Sequence, residues 1–167
     1  MYTLAPWGCD LEGAIMSPEN PPGPPDAKPD NKGAPQPQAD VKQLLVVEDV
    51  AVLRRAMRKM LESLGYGVVE AADGQEGVSQ AKKLKPDLIL MDIMLPVMDG
   101  VAATRQLKAS PETQDIPIVM VTAKGDRSVV LEALKAGAKD FIVKPWTHET
   151  IKDKLYKILG KPPEGAG

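Results

Sequence analysis

Beyond residue 40 the apolar positions follow two alternating rhythms. Short, nearly unbroken apolar runs occur in QLLVVED (43–49), GVVEAA (67–72), PDLILMD (86–92), IPIVMVTA (116–123) and KDFIVK (139–144). Runs of about four to eight residues bounded by turn signals read as strands buried on both faces. Between them the apolar residues return every three or four positions. They do so in VAVLRRAMRKMLESLG (50–65), GQEGVSQAKKLK (74–85), DGVAATRQLKAS (99–110), GDRSVVLEALKAG (125–137) and THETIKDKLYKIL (147–159). That spacing predicts helices, the first and fourth closed by Gly65 and Gly137.

Five strands alternating with five helices predict βαβ units and a parallel sheet covered on both faces, an α/β fold in a single domain. In such sheets ligands bind beyond the carboxyl ends of the strands, near the point where strand order reverses. The first strand ends in Glu48-Asp49, the third in Asp92, the fourth in Thr122-Ala123 and the fifth in Lys144-Pro145. All the candidate chemistry therefore falls on one sheet edge.

Composition changes this picture mainly at the ends of the chain. Residues 17–40, SPENPPGPPDAKPDNKGAPQPQAD, have too little apolar content to offset the entropy of ordering them. They are expected to form, with the residues before them, a disordered Pro-rich tail over 1–40, followed by a domain over 41–160 and a flexible tail over 161–167. Residues 1–40 carry Asp10, Glu12, Glu19, Asp26, Asp30 and Asp40 against Lys28 and Lys32, while 41–167 carry 19 basic and 17 acidic side chains. Near balance without a basic cluster predicts no direct contact with nucleic acid. No apolar stretch approaches the roughly 18–20 residues that cross a bilayer. The single cysteine, Cys9, rules out an internal disulfide, so a reducing, cytoplasmic setting is expected.

Three carboxylates at one edge would repel, since two unit charges about 4 Å apart cost about 4 kcal/mol at an effective dielectric of about 20. A hard divalent cation such as Mg²⁺ takes oxygen ligands and leaves positions for water and phosphate oxygens, and Glu48, Asp49 and Asp92 supply the oxygens. Lys144 adds a mobile positive charge and Thr122 a hydroxyl. A carboxylate nucleophile, a cation, an ammonium and a hydroxyl together suit phosphoryl transfer, where positioning and charge neutralisation dominate.

The segments VVED, LILMDIMLPVMDG, VMVTAK and FIVKP, in this order and spacing, resemble the receiver domain of two-component response regulators, over residues 43–160. The resemblance implies a CheY-like, flavodoxin-like (βα)5 fold with strand order 2-1-3-4-5. It also implies that Asp92 is the phosphoacceptor and that Glu48 and Asp49 hold Mg²⁺ with Asp92 and the Met94 carbonyl. Thr122 would be the switch hydroxyl, Lys144 the group contacting the phosphoryl oxygens, and Phe141 the switch aromatic. The peptide before Pro145 is expected to be cis. The implied partners are a sensor histidine kinase or phosphotransfer protein upstream and a target protein downstream. The protein would be a monomer or a weak phosphorylation-dependent dimer. Met94 and Lys124, two positions past Asp92 and Thr122, imply slow self-dephosphorylation, because neither positions an attacking water as an amide or acid does.

Since only GKPPEGAG follows the last helix, a stand-alone regulator is expected; a fragment of a larger regulator is the other reading. A receiver that scaffolds partners without phosphorylation is the alternative function. A dehalogenase-like phosphatase would need an acid two residues after Asp92, where Met94 stands. An electron carrier with a phosphate loop would need glycines and hydroxyls after the first strand, and VVEDVAVLRR has neither. His148 reads as a solvated or capping residue at the start of the last helix.

Overall fold

The computed structural model describes residues 41–123 and 127–161. Lys124 and the expected tails over 1–40 and 161–167, Lys161 excepted, lie outside the described residues. The elements run β1 (Gln43–Val47), α1 (Ala51–Ser63), β2 (Gly67–Ala71), α2 (Gly74–Leu84), β3 (Leu88–Asp92), α3 (Gly100–Ala109), β4 (Ile118–Ala123), α4 (Arg127–Lys135), β5 (Asp140–Lys144) and α5 (His148–Leu159). The strands pair in parallel in the order β2-β1-β3-β4-β5. Both the alternation of elements and the strand order agree with the sequence reading.

Alternate residues of the continuous apolar runs serve two separate cores. Leu44 and Val46 of β1, with Leu88 and Leu90 of β3, pack against Met57 and Leu61 of α1 and Ile151 and Leu155 of α5. Leu45, Val47, Ile89 and Met91 point the other way, into a core with Val78 and Ala81 of α2, Ala103 and Leu107 of α3 and Ala133 of α4. A strand buried on both faces has no polar side, which is why these runs do not alternate in hydropathy. Each fully buried Leu, Ile or Val stabilises the fold by about 1.5–3 kcal/mol relative to its exposed state, and truncating Leu90 to Ala would cost about 2–5 kcal/mol.

Side-chain caps mark three helix starts. Asp73 accepts the Glu76 amide at 2.8 Å, Asp99 the Ala102 amide at 2.8 Å and Thr147 the Thr150 amide at 3.2 Å, each starting a helix. The predicted elements extend one or two residues too far at the ends that differ, because those ends carry turn and cap residues. The first run stops at Val47, and Glu48 and Asp49 lie past the ladder. Helix α1 differs from these three: Val50, at its N-cap, provides no side-chain cap.

Candidate functional site at the carboxyl edge of the sheet

The parallel register puts the ends of β1, β3, β4 and β5 side by side, so residues far apart in sequence meet. Glu48 and Asp92 are 1% and 3% exposed, whereas Asp49 opens to solvent. Carboxylate oxygens of all three lie within 4.8 Å of one another. Lys144, the last residue of β5, places its ammonium 2.9 Å from Glu48 Oε2 and donates to Asp92 Oδ2. The other Asp92 oxygen accepts the Met94 amide at 3.0 Å. Glu48 Oε1 accepts the Val50 amide at 3.3 Å.

Glu48 Oε2 is buried and close to the ammonium, yet among the described residues no donor is aligned on it as a hydrogen bond. Burial, the largest influence, pushes the Glu48 carboxyl above its ordinary value; the Asp92 charge adds to this, and Lys144 offsets it only in part. Burial works against the charge on Lys144, but Asp92 and Glu48 outweigh it and hold the lysine above its ordinary value. Three hard oxygen donors, one of them buried without an aligned partner, suit a hard divalent cation.

The loop after β3 is held by close backbone contacts. A Cβ on Gly100 would lie 2.1 Å from the Asp92 carbonyl oxygen, and one on Gly74 would lie 2.2 Å from the Met98 carbonyl oxygen. Only glycine admits these approaches, so the helix starts pack directly against the end of β3 at Asp92 and the loop that follows it. Within that loop Val97 stands at φ 66° and 86% exposed, a left-handed conformation that strains a β-branched residue.

Glu48, Asp49, Asp92 and Lys144 converge as the sequence reading expected, but the other candidates are less directly engaged. Thr122 is buried, and its hydroxyl donates to the Ala123 carbonyl at 3.2 Å instead of to a carboxylate. Phe141 is half-buried on β5, with the Lys154 ammonium 5.5 Å from its ring centre. Met94 meets Asp92 through its amide, while its side chain is 73% exposed. His148 is exposed and Thr147 takes the cap of α5. The Lys144-Pro145 peptide is cis, as expected.

Two contacts at this edge were not singled out in the sequence. Trp146 lies under Lys144, its ring centre 5.9 Å from Nζ, a cation–π partner. Arg54, on the first turn of α1, donates to the Glu48 carbonyl at 2.7 Å. An arginine where a helix start favours acids was the available signal for the second.

Comparison with known proteins agrees with this geometry. Residues 44–156 match the response regulator receiver domain family. The chain is 40% identical over 119 residues to the chemotaxis protein CheY of Thermotoga maritima, covering 70% of this chain and 97% of that one. It is 38% identical over 124 residues to the phosphate regulon transcriptional regulatory protein PhoB of Pseudomonas aeruginosa, covering 74% of this chain but 54% of PhoB, so it spans about half the length of that relative. Among solved structures, the receiver domain of a Pseudomonas aeruginosa sensor histidine kinase, which holds a magnesium ion in its active site cleft, has a TM-score of 0.68 at 36% identity. That alignment covers 72% of this chain and 98% of that domain. A fold of five parallel strands in the order found here, three acids and a lysine on one edge, and these similarities together lead to one assignment: this chain belongs to the response regulator receiver domain family, the CheY-like signalling domain of two-component systems.

Proposed function

We propose that the protein is a phosphorylation-controlled switch in which Asp92 accepts a phosphoryl group from the phosphohistidine of a sensor histidine kinase or a phosphotransfer protein. The observation that carries this reading is the convergence of buried Asp92 with Glu48, Asp49 and Lys144 on one strand edge. An Asp92 oxygen attacks phosphorus in line; the new O–P bond forms as the P–N bond breaks, and its electron pair passes to the imidazole nitrogen. The product is an acyl phosphate on Asp92. Lys144, already bonded to Asp92, transfers its hydrogen bonds to the phosphoryl oxygens as charge builds there.

The donor set favours Mg²⁺, which Glu48, Asp49 and Asp92 would hold with the Met94 carbonyl, and which would neutralise charge on the phosphoryl oxygens. The magnesium in the related sensor kinase domain supports the same choice. Thr122 then turns its hydroxyl from Ala123 toward the phosphoryl group, and Phe141 moves inward into the space vacated. Leu131, Leu134 and Val143, exposed on α4 and β5, belong to the α4, β5 and α5 face that a downstream target protein would read. A coupling of about 1–3 kcal/mol would change that partner's affinity about 5–150-fold. The output is binding, with no direct contact of this domain to nucleic acid, and the domain acts in the cytoplasm, monomeric or weakly dimerising when phosphorylated.

Intact mass after incubation with Mg²⁺ and a small-molecule phosphodonor tests the reading. A single Mg²⁺-dependent phosphoryl adduct, absent from Asp92→Asn, is expected. No adduct on either protein, with Mg²⁺ binding also undetectable, would favour a phosphorylation-independent scaffold. The adduct's half-life in wild type is expected to exceed that in Met94→Asn; equal lifetimes would reject the role given to Met94.

A further inference from the structure

Adjacent residues on an extended strand point to opposite sides, so Glu48 and Asp49 cannot both face one ion while the backbone stays extended. The ladder ends at Val47, and the chain then turns before α1 begins at Ala51. That turn lacks the usual fastener, since α1 has no side-chain N-cap and no acid in its first turn. Besides the 3.3 Å bond from the Val50 amide to Glu48 Oε1, what holds it is Arg54. Its Nη1 donates to the Glu48 carbonyl at 2.7 Å and to the Asp49 carbonyl at 3.3 Å, reaching back from the helix to the two peptides that carry the acids. Arg54 is in turn steered by Glu70 on β2, whose carboxylate lies 3.8 Å from Nε and which also pairs with Arg58 at 3.1 Å.

We propose that Arg54, oriented by Glu70, is the positioning residue of the metal-binding acid pair: its guanidinium, with Nη1 on both carbonyls, fixes the Glu48 and Asp49 peptides so that both carboxylates converge with Asp92. This rests on the reading of the edge as a Mg²⁺ site. Arginine suits the task because its rigid planar group turns Nε toward Glu70 while Nη1 reaches both carbonyls, a relation that an ammonium on a flexible stem does not fix. Positioning and simple electrostatics predict opposite signs here. By charge alone, removing a cation beside three acids strengthens Mg²⁺ binding; if the guanidinium holds the loop, removal weakens it.

Titration calorimetry with Mg²⁺ on the full chain, with amide hydrogen exchange on the metal-free protein, separates these outcomes. Arg54→Ala is expected to weaken Mg²⁺ binding about tenfold, as loss of a supporting contact does at metal sites. Arg54→Lys, which keeps the charge without the planar group, should recover less than half of that loss on a logarithmic scale, and Glu70→Gln should show a smaller weakening of the same sign. Exchange at the Asp49 and Val50 amides should quicken in Arg54→Ala beyond any global change. Unchanged or tighter binding in Arg54→Ala, or wild-type affinity in Arg54→Lys, overturns the proposal. Should Arg54→Ala fail to fold, the Lys and Gln variants carry the test. Wild type that binds no Mg²⁺ overturns the functional reading instead, while local amide exchange still decides whether Arg54 holds the loop.

Discussion

Glu48 and Asp140 are carboxylates at opposite ends of the sheet, each beside a lysine, yet their surroundings drive them in opposite directions. Glu48, at the carboxyl edge, shares Lys144 with Asp92, and burial raises its carboxyl. Burial alone would raise Asp140 too, but Lys154 at 2.7 Å and the Phe141 amide outweigh it and hold Asp140 below its ordinary value. Asp140 has a lysine largely to itself and 16% side-chain exposure; Glu48 has 1% and a competing acid. The amino edge is otherwise tied by similar one-to-one bonds between distant segments, such as the Gln43 amide to Asp87 at 2.7 Å and Lys42 to the Leu159 carbonyl at 2.9 Å. Electrostatic tension in this sheet therefore gathers at the carboxyl edge, where two buried acids share one lysine, while these pairs at the amino edge are matched one to one.

The hardest break in this contrast is Lys144→Met, which leaves two buried acids with no cation. The loss is expected to be about 2 kcal/mol in urea unfolding, below the 3–5 kcal/mol of a fully buried pair because Lys144 is 22% exposed. Mg²⁺ should restore part of it. A loss under about 0.5 kcal/mol would mean that the acids are not held by the lysine.

Glu48→Gln sharpens the contrast in the other direction. Because the folded pKa of Glu48 is raised, the stability tied to its protonated form is full below the ordinary value near 4.5 and is lost as pH rises through the higher folded value. The variant should therefore melt higher than wild type at pH 7 without metal, with the gap closing toward pH 4, and bind Mg²⁺ at least about tenfold more weakly. Equal melting temperatures at pH 7 would show that Lys144 fully compensates the burial.

At the amino end of β2, Tyr66 is the exception to this pairing: its hydroxyl is buried without a partner among the described residues, and burial pushes it up to about 12. Tyr66→Phe is expected to stabilise by up to about 1 kcal/mol, and a destabilisation would reveal a partner for the hydroxyl. Asp140→Asn should have the smallest effect, about 0.5 kcal/mol lost at pH 7. Since the folded pKa of Asp140 is lowered, that difference is present above about 3.8 and disappears as pH falls through the lower folded value. A loss that persists at lower pH would point to packing instead of charge.

The sheet and its helices were legible because strands buried on both faces must be apolar throughout and helices covering them must repeat every three or four residues. Asp92 stood out as an ionisable residue directly after LILM. Arg54 and Trp146 did not, because an arginine in an amphipathic helix and an aromatic after proline have ordinary roles as surface and core residues. Their contacts with Glu48 and Lys144 depend on where the turn after β1 and the loop after β5 come to rest. The positive φ of Val97 was equally hidden, since nothing in LPVMDG marks a valine as left-handed.

By itself the sequence determined the alternation of five strands and five helices, the edge on which the chemistry gathers, and the identity of the acids and the lysine that meet there. These follow from periodicity and from residues at strand ends, which are local properties. Only the tertiary structure decided that Glu48 is buried with an unaligned oxygen, that Thr122 faces Ala123, and that Arg54 closes the turn carrying the acid pair. Those outcomes arise because desolvation and hydrogen-bond direction depend on every neighbour packed around a group, and those neighbours come from segments that sequence spacing does not connect.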